Sequence, residues 1–161
     1  MNNKTKAVKL GNVIVGGGHR PSVQTMWKEA LSKNSLDTLP ERIKKLENLG
    51  CDILRFSAPD MEQADLLGRL SGMVSIPLVA DIHFDWRIAL KCLDYPIAKI
   101  RVNPGNLGEA WKLKEVAAKA ADKAVPIRIG VNSGSIPKDL QNHQDRAEAL
   151  VIAAEREVEA L

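Results

Sequence analysis

Five times in 161 residues a short β-rich run gives way to a helical stretch with one apolar face, and this repetition restricts the fold more than any other feature of the chain. The runs are Ser22 to Met26, Asp52 to Ser57, Pro77 to His83, Ala98 to Asn103 and Pro126 to Asn132. Between the first two, Leu39, Ile43, Leu46 and Leu49 share a helical face, with Asp37 as the expected N-cap and Gly50 as the expected stop. Asp60 opens a second helix carrying Ala64, Leu67 and Leu70, and Asp85 a third carrying Ile88, Ala89 and Cys92. Leu113, Val116, Ala117 and Ala120 mark a fourth, which Pro126 stops. The fifth runs through Ala147, Leu150, Val151, Ala154, Val158 and Leu161, the most regular apolar spacing of the five.

Strict β/α alternation predicts a parallel sheet with right-handed crossovers, either doubly wound or closed as a barrel. Gly16-Gly17-Gly18 precedes a strand and opens no helix, so it is not a dinucleotide-binding fingerprint. The strands end instead in polar groups: Arg55 and Ser57, Asp81 and His83, Arg101 and Asn103, Arg128 and Asn132. Function spread over successive strand ends is the habit of a (β/α)₈ barrel. Val8 to Val15, with Gly11-Asn12 at its centre, reads as a small hairpin able to floor one. At roughly 27 residues per unit, eight units need about 216, so residues 1–161 are expected to be the N-terminal part of an α/β, partial TIM-barrel substrate-binding domain: a hairpin and about five βα units. A complete five-stranded α/β sheet is the competing reading.

A formal charge of +3, from 23 Lys+Arg against 20 Asp+Glu, is too small to imply nucleic acid. No apolar run approaches the ~18 residues of a membrane span, and no secretory signal is evident, so a cytoplasmic protein without a membrane partner is expected. Cys51 and Cys92 form no C-x-x-C pair and lie in apolar contexts, which predicts buried thiols and no metal site.

Three strings place an arginine among apolar residues: Ile53 to Ser57, Lys99 to Asn103 and Pro126 to Asn132. Side chains alternate across a strand, so Arg101 shares a face with Asn103, and Arg128 with Asn132, while Ile100, Val102, Ile127 and Ile129 share the other. The apolar face packs on the outer helices, which turns the arginines toward the barrel mouth. Three guanidinium groups with Asp81 as their neighbouring carboxylate leave positive charge suited to a diphosphate. The competing reading is ion pairing for packing alone. Asp81 and His83 share a face and are placed to bind hydroxyls or move a proton. His19 and His143, in loop or helix-flank contexts, and Trp86 and Trp111, read as helix packing residues, receive no site role.

Gly11-Asn12-Val13 through Gly16-Gly17, Ser22-Val23-Gln24-Thr25-Met26, Pro77 to Asp85 (PLVADIHFD), Lys99 to Asn106 (KIRVNPGN) and Pro126 to Ser135 (PIRIGVNSGS) together resemble the 4-hydroxy-3-methylbut-2-enyl diphosphate synthase family. The resemblance implies an iron-sulfur oxidoreductase of non-mevalonate isoprenoid biosynthesis that reductively opens 2-C-methyl-D-erythritol 2,4-cyclodiphosphate. It implies a barrel that binds the cyclic diphosphate, a separate C-terminal domain with a [4Fe-4S] cluster held by three cysteines and a glutamate, a homodimer, and flavodoxin or ferredoxin as electron donor. Carried over by motif, substrate contacts fall on Arg55, Asp81, His83, Arg101, Asn103, Arg128 and Asn132, with Gln24 and Ser133 as weaker candidates; no catalytic residue is assigned. Trp27 to Ser32 departs from the Thr/Asn-rich string common in that family. The cluster domain and the last part of the barrel are outside this sequence, so no cluster and no reductase activity are expected of these residues alone. Two other readings stay open: a non-catalytic anion-binding module, and a barrel enzyme resembling dihydropteroate synthase.

Overall fold

The apolar face of each short run finds its partner in a single parallel sheet. The computed structural model describes residues 5–132, 134 and 136–159. A hairpin of β1 (Val8–Leu10) and β2 (Val13–Val15) precedes β3 (Gln24–Trp27), α1 (Leu39–Asn48), β4 (Ile53–Ser57), α2 (Met61–Ser71), β5 (Leu78–Ile82) and α3 (Trp86–Cys92). Then follow β6 (Lys99–Val102), α4 (Pro104–Leu107), α5 (Ala110–Asp122), β7 (Ile127–Ile129) and α6 (Arg146–Glu159). The parallel strands stand in chain order, β3-β4-β5-β6-β7. A doubly wound sheet reverses its order at a switch point; this one does not, and the sheet is a five-strand arc of a partial barrel.

Alternation divides the core. Outward side chains Leu54, Phe56, Leu78, Ala80, Ile82, Ile100 and Val102 pack with helix residues such as Ile43, Leu67, Ile88 and Val116. On the inner side, Leu10 of the hairpin is buried with Ile53 and Val79, and Val13, Val15 and Ala98 border them. The hairpin therefore plugs the N-terminal end of the arc and leaves the C-terminal end for polar groups. Gly11 turns the hairpin at φ +56 and faces Pro77, a backbone region that glycine enters without penalty.

Helix ends follow the capping chemistry in two of three cases. Asp60 accepts the Gln63 N–H at 2.8 Å, and Asp85 accepts the Arg87 N–H at 2.9 Å. Asp37 does not cap α1: Thr38 holds that position without a side-chain capping bond, because a turn closed by the Thr38 N–H on the Ser35 carbonyl at 3.2 Å encloses Asp37. Leu49 lies past the helix end and is 84% exposed. The regular stripe of α6 is only partly covered, through Leu150 and Ala154. Ala149 and Ala153 pack on Ile136 and Leu140, whereas Val151 and Val158 are 55% and 60% exposed, lining an open groove with Ile129 and Val131. Leu161 lies outside the described residues. No helix among the described residues is long and apolar enough to cross a membrane.

Candidate functional site

Strand register lines up the polar inward residues. Ser57 is opposite Asp81, Asp81 opposite Arg101, and Arg101 opposite Arg128. One layer nearer the hairpin, Arg55 is opposite Val79 and Val79 opposite Lys99. Asp81, fully buried at the centre, is the hub. Its Oδ2 accepts from Arg55 Nε at 3.1 Å and Nη2 at 2.6 Å, and its Oδ1 accepts from Arg101 Nη1 at 3.1 Å. His83 Nε2 lies 3.1 Å from the same Oδ2.

Burial by itself would raise the Asp81 carboxyl. Hydrogen bonds from His83 and Arg55, with the charges of Arg55 and Arg101, outweigh burial and hold it below the ordinary carboxylate value. With both oxygens occupied, Asp81 orients guanidinium groups rather than serving as a free base. The same face carries a cation that the alternation rule selects as readily as Arg101, since Lys99 stands two residues before it. Burial, then the charges of Arg128 and Arg55, push the Lys99 ammonium below its usual value. Lys99 and Arg128 have no ion-pair partner among the described residues, so of the four inward cations Asp81 holds Arg55 and Arg101 only.

The structure brings Arg55, Asp81, His83 and Arg101 together. Asn103, 2% exposed, follows β6 with its Nδ2 unpaired among the described residues, an arrangement costly unless an acceptor arrives. Arg128 occupies the same row but stays exposed and does not reach Asp81. Asn132 lies beyond β7, its Oδ1 accepting the Gly134 N–H at 3.0 Å. Gln24 pairs with Ile53, a layer below Arg55, and is exposed. Ser133 lies outside the described residues.

The divergent loop after Met26 is committed to packing. Trp27 stacks on Phe56 with centroids 5.8 Å apart, and the Arg42 guanidinium covers its ring at 4.5 Å. Glu29 holds Arg42 through two bonds of 2.9 and 2.8 Å, and Gln63 brackets the Leu31 backbone. Trp86 and Trp111 meet edge to face at 5.2 Å.

Neither cysteine fits an iron-sulfur ligand. Cys51, at the hairpin end of the sheet, directs its Sγ to the Ile53 carbonyl at 3.2 Å. Cys92 is fully buried, and burial pushes its thiol up to about 12, so the thiolate that binds iron is suppressed. The described residues contain no group of three or more His, Cys, Asp or Glu placed to hold a metal ion.

The family model described as GcpE TIM-barrel domain matches residues 5–161. The 4-hydroxy-3-methylbut-2-en-1-yl diphosphate synthase (flavodoxin) of Treponema denticola is 48% identical over 139 residues, covering 86% of this chain and 36% of that protein. The protein of the same name from Clostridium tetani is 44% identical over 160 residues, covering 98% of this chain and 45% of that protein. The chain thus spans less than half the length of these relatives. Among solved structures, Yersinia pestis dihydropteroate synthase superposes with a TM-score of 0.62 at 13% identity, over 96% of this chain and 58% of that one. A Xanthomonas albilineans dihydropteroate synthase gives 0.58 at 16%, over 94% and 60%. At these identities the likeness is one of fold alone.

Proposed function

The chain belongs to the GcpE TIM-barrel domain family, and from that premise we propose that it is the N-terminal, substrate-binding part of a 4-hydroxy-3-methylbut-2-en-1-yl diphosphate synthase. The observation that carries this reading is an inner face on which one buried carboxylate, Asp81, holds Arg55 and Arg101 while Lys99 and Arg128 have no ion-pair partner among the described residues. Two phosphates of a cyclic diphosphate match that surplus, and guanidinium forks bind phosphate oxygens in pairs. Arg55 and Arg101, fixed by Asp81, orient the ligand; Arg128 and Lys99 supply charge that no carboxylate offsets. Asn103 Nδ2 donates to a ligand oxygen, and His83, 41% exposed beside Asp81, takes a hydroxyl or delivers a proton.

Ring opening needs two electrons. In this reading an iron-sulfur cluster supplies them from residues outside this chain, since the two cysteines present do not fit it, with flavodoxin, named in the relatives, as donor and a homodimer as the working assembly. The chain's own part is to bind the diphosphate, fix its orientation and hold a proton at His83. A cytoplasmic location accords with this role. Parallel calorimetric titrations with 2-C-methyl-D-erythritol 2,4-cyclodiphosphate and with a pterin diphosphate test the assignment. Saturable binding of the first and none of the second is expected; the reverse would assign the site to a dihydropteroate-synthase-like substrate.

A further inference from the structure

We infer that Gly130 is a positioning residue, the seat of the Arg101 guanidinium in the anion site. This rests on the diphosphate reading above and adds a residue to it. On the inward face of the fifth repeat the sequence runs Arg128, Gly130, Asn132, so the middle position of that stripe has no side chain. Arg101, from the neighbouring strand, fills the gap. A Cβ built on Gly130 would lie 2.6 Å from Arg101 Cζ and closer still to its Nε and Nη2, contacts that real side chains do not tolerate.

Conformation does not explain the glycine. Gly130 is absent from the residues with positive φ, and its N–H continues the sheet ladder to the Val102 carbonyl at 2.8 Å. Space does explain it. Arg101 is paired in register with Arg128, and like charges directly opposite each other repel. Over Gly130 the guanidinium escapes that pairing, donates to the Gly130 carbonyl at 3.4 Å and keeps Nη1 on Asp81 at 3.1 Å. Arg101 thereby spans from β5 to the end of β7 with its side chain only 15% exposed. A methyl group at 130 meets the far end of a flexible side chain. The predicted result is a displaced Arg101 within an intact sheet.

The test is a double-mutant cycle in the full chain, comparing Gly130→Ala, Arg101→Ala and the double variant. Affinity for the cyclic diphosphate is read by calorimetry, thermal midpoint by circular dichroism, and hydrogen exchange at Arg101 Nε–H by NMR on the unliganded chain. Gly130→Ala should weaken binding at least tenfold, leave the midpoint within a few degrees and accelerate Nε–H exchange several-fold. In the Arg101→Ala background the same alanine should change affinity less than twofold. Equal losses in both backgrounds would show a strand defect and overturn the inference, as would an unaltered Arg101 Nε–H signal. Wild-type affinity in Arg101→Ala with accelerated exchange in Gly130→Ala would keep the seat and sink the diphosphate reading.

Discussion

The middle strands and the last strand carry nearly the same sequence and treat it differently. In ILRFS of β4 and KIRV of β6 the arginine turns inward and closes on Asp81; in IRI of β7 it turns inward and stays open to solvent. Around the first two, large side chains such as Phe56, Leu67 and Ile100 are 1% exposed or less. Around the third, α6 buries Ala149 and Ala153 against Ile136 and Leu140, and Val151 and Val158 line an open groove with Ile129 and Val131. An arginine in a strand is thus structural or available according to whether its neighbours supply a carboxylate and a sealed wall. The motif alone does not distinguish the two cases.

Substitutions at the hub should separate the regions most sharply. Asp81→Asn leaves two part-buried guanidinium groups without their counter-charge, and breaking such a pair costs about 3–5 kcal/mol; urea unfolding should show that loss. Acid should produce the same effect reversibly. Because the folded carboxyl is held below its unfolded value, its contribution is present above the unfolded value and disappears as pH falls through the folded one. A pH series of urea midpoints should therefore show an acid-side decline that is shallower in Asp81→Asn; parallel slopes would contradict the hub assignment.

Lys99 should behave in the opposite sense. Its ammonium is disfavoured in the fold, so at neutral pH it costs stability, and the cost fades as pH rises through its folded value. Lys99→Met should raise the melting temperature by roughly 2–4 °C per kcal/mol recovered while weakening diphosphate binding. Calorimetry at alkaline pH in two buffers of different ionisation enthalpy should detect proton uptake on binding that Lys99→Met abolishes. The smallest effect belongs to the half-open stripe of the last helix. Val151→Ala should shift stability by no more than ~0.5 kcal/mol, against ~3–5 kcal/mol for Phe56→Ala, both read by urea unfolding.

Much of this was legible in the residues, for identifiable reasons. Strand alternation placed Arg55, Asp81, His83 and Arg101 on one face because period-two patterning survives any tertiary context. Gly11-Asn12 marked a hairpin that does cap the arc, through Leu10 against Ile53 and Val79. Asp60 and Asp85 acted as caps, while Asp37 is enclosed in the turn from Ser35 to Thr38. The stripe of α6 marked an apolar face, since Leu150, Val151, Ala154 and Val158 line one groove with Ile129 and Val131, but spacing does not show how completely a face is covered. Lys99 was visible in the same string as Arg101 and passed over, although the alternation rule applies to it equally. Gly130 carried no signal of its own, since its significance lies in the side chain of a neighbouring strand.

Arg128 gives the most direct test of the central claim that these strand ends form a diphosphate site, because it is exposed and its removal breaks no ion pair among the described residues. Calorimetric titration of Arg128→Ala with 2-C-methyl-D-erythritol 2,4-cyclodiphosphate, beside the unmodified chain, should show affinity reduced by ~1.5–3 kcal/mol, the worth of a charged hydrogen bond, with an unchanged melting temperature. Undiminished affinity in Arg128→Ala would contradict the account.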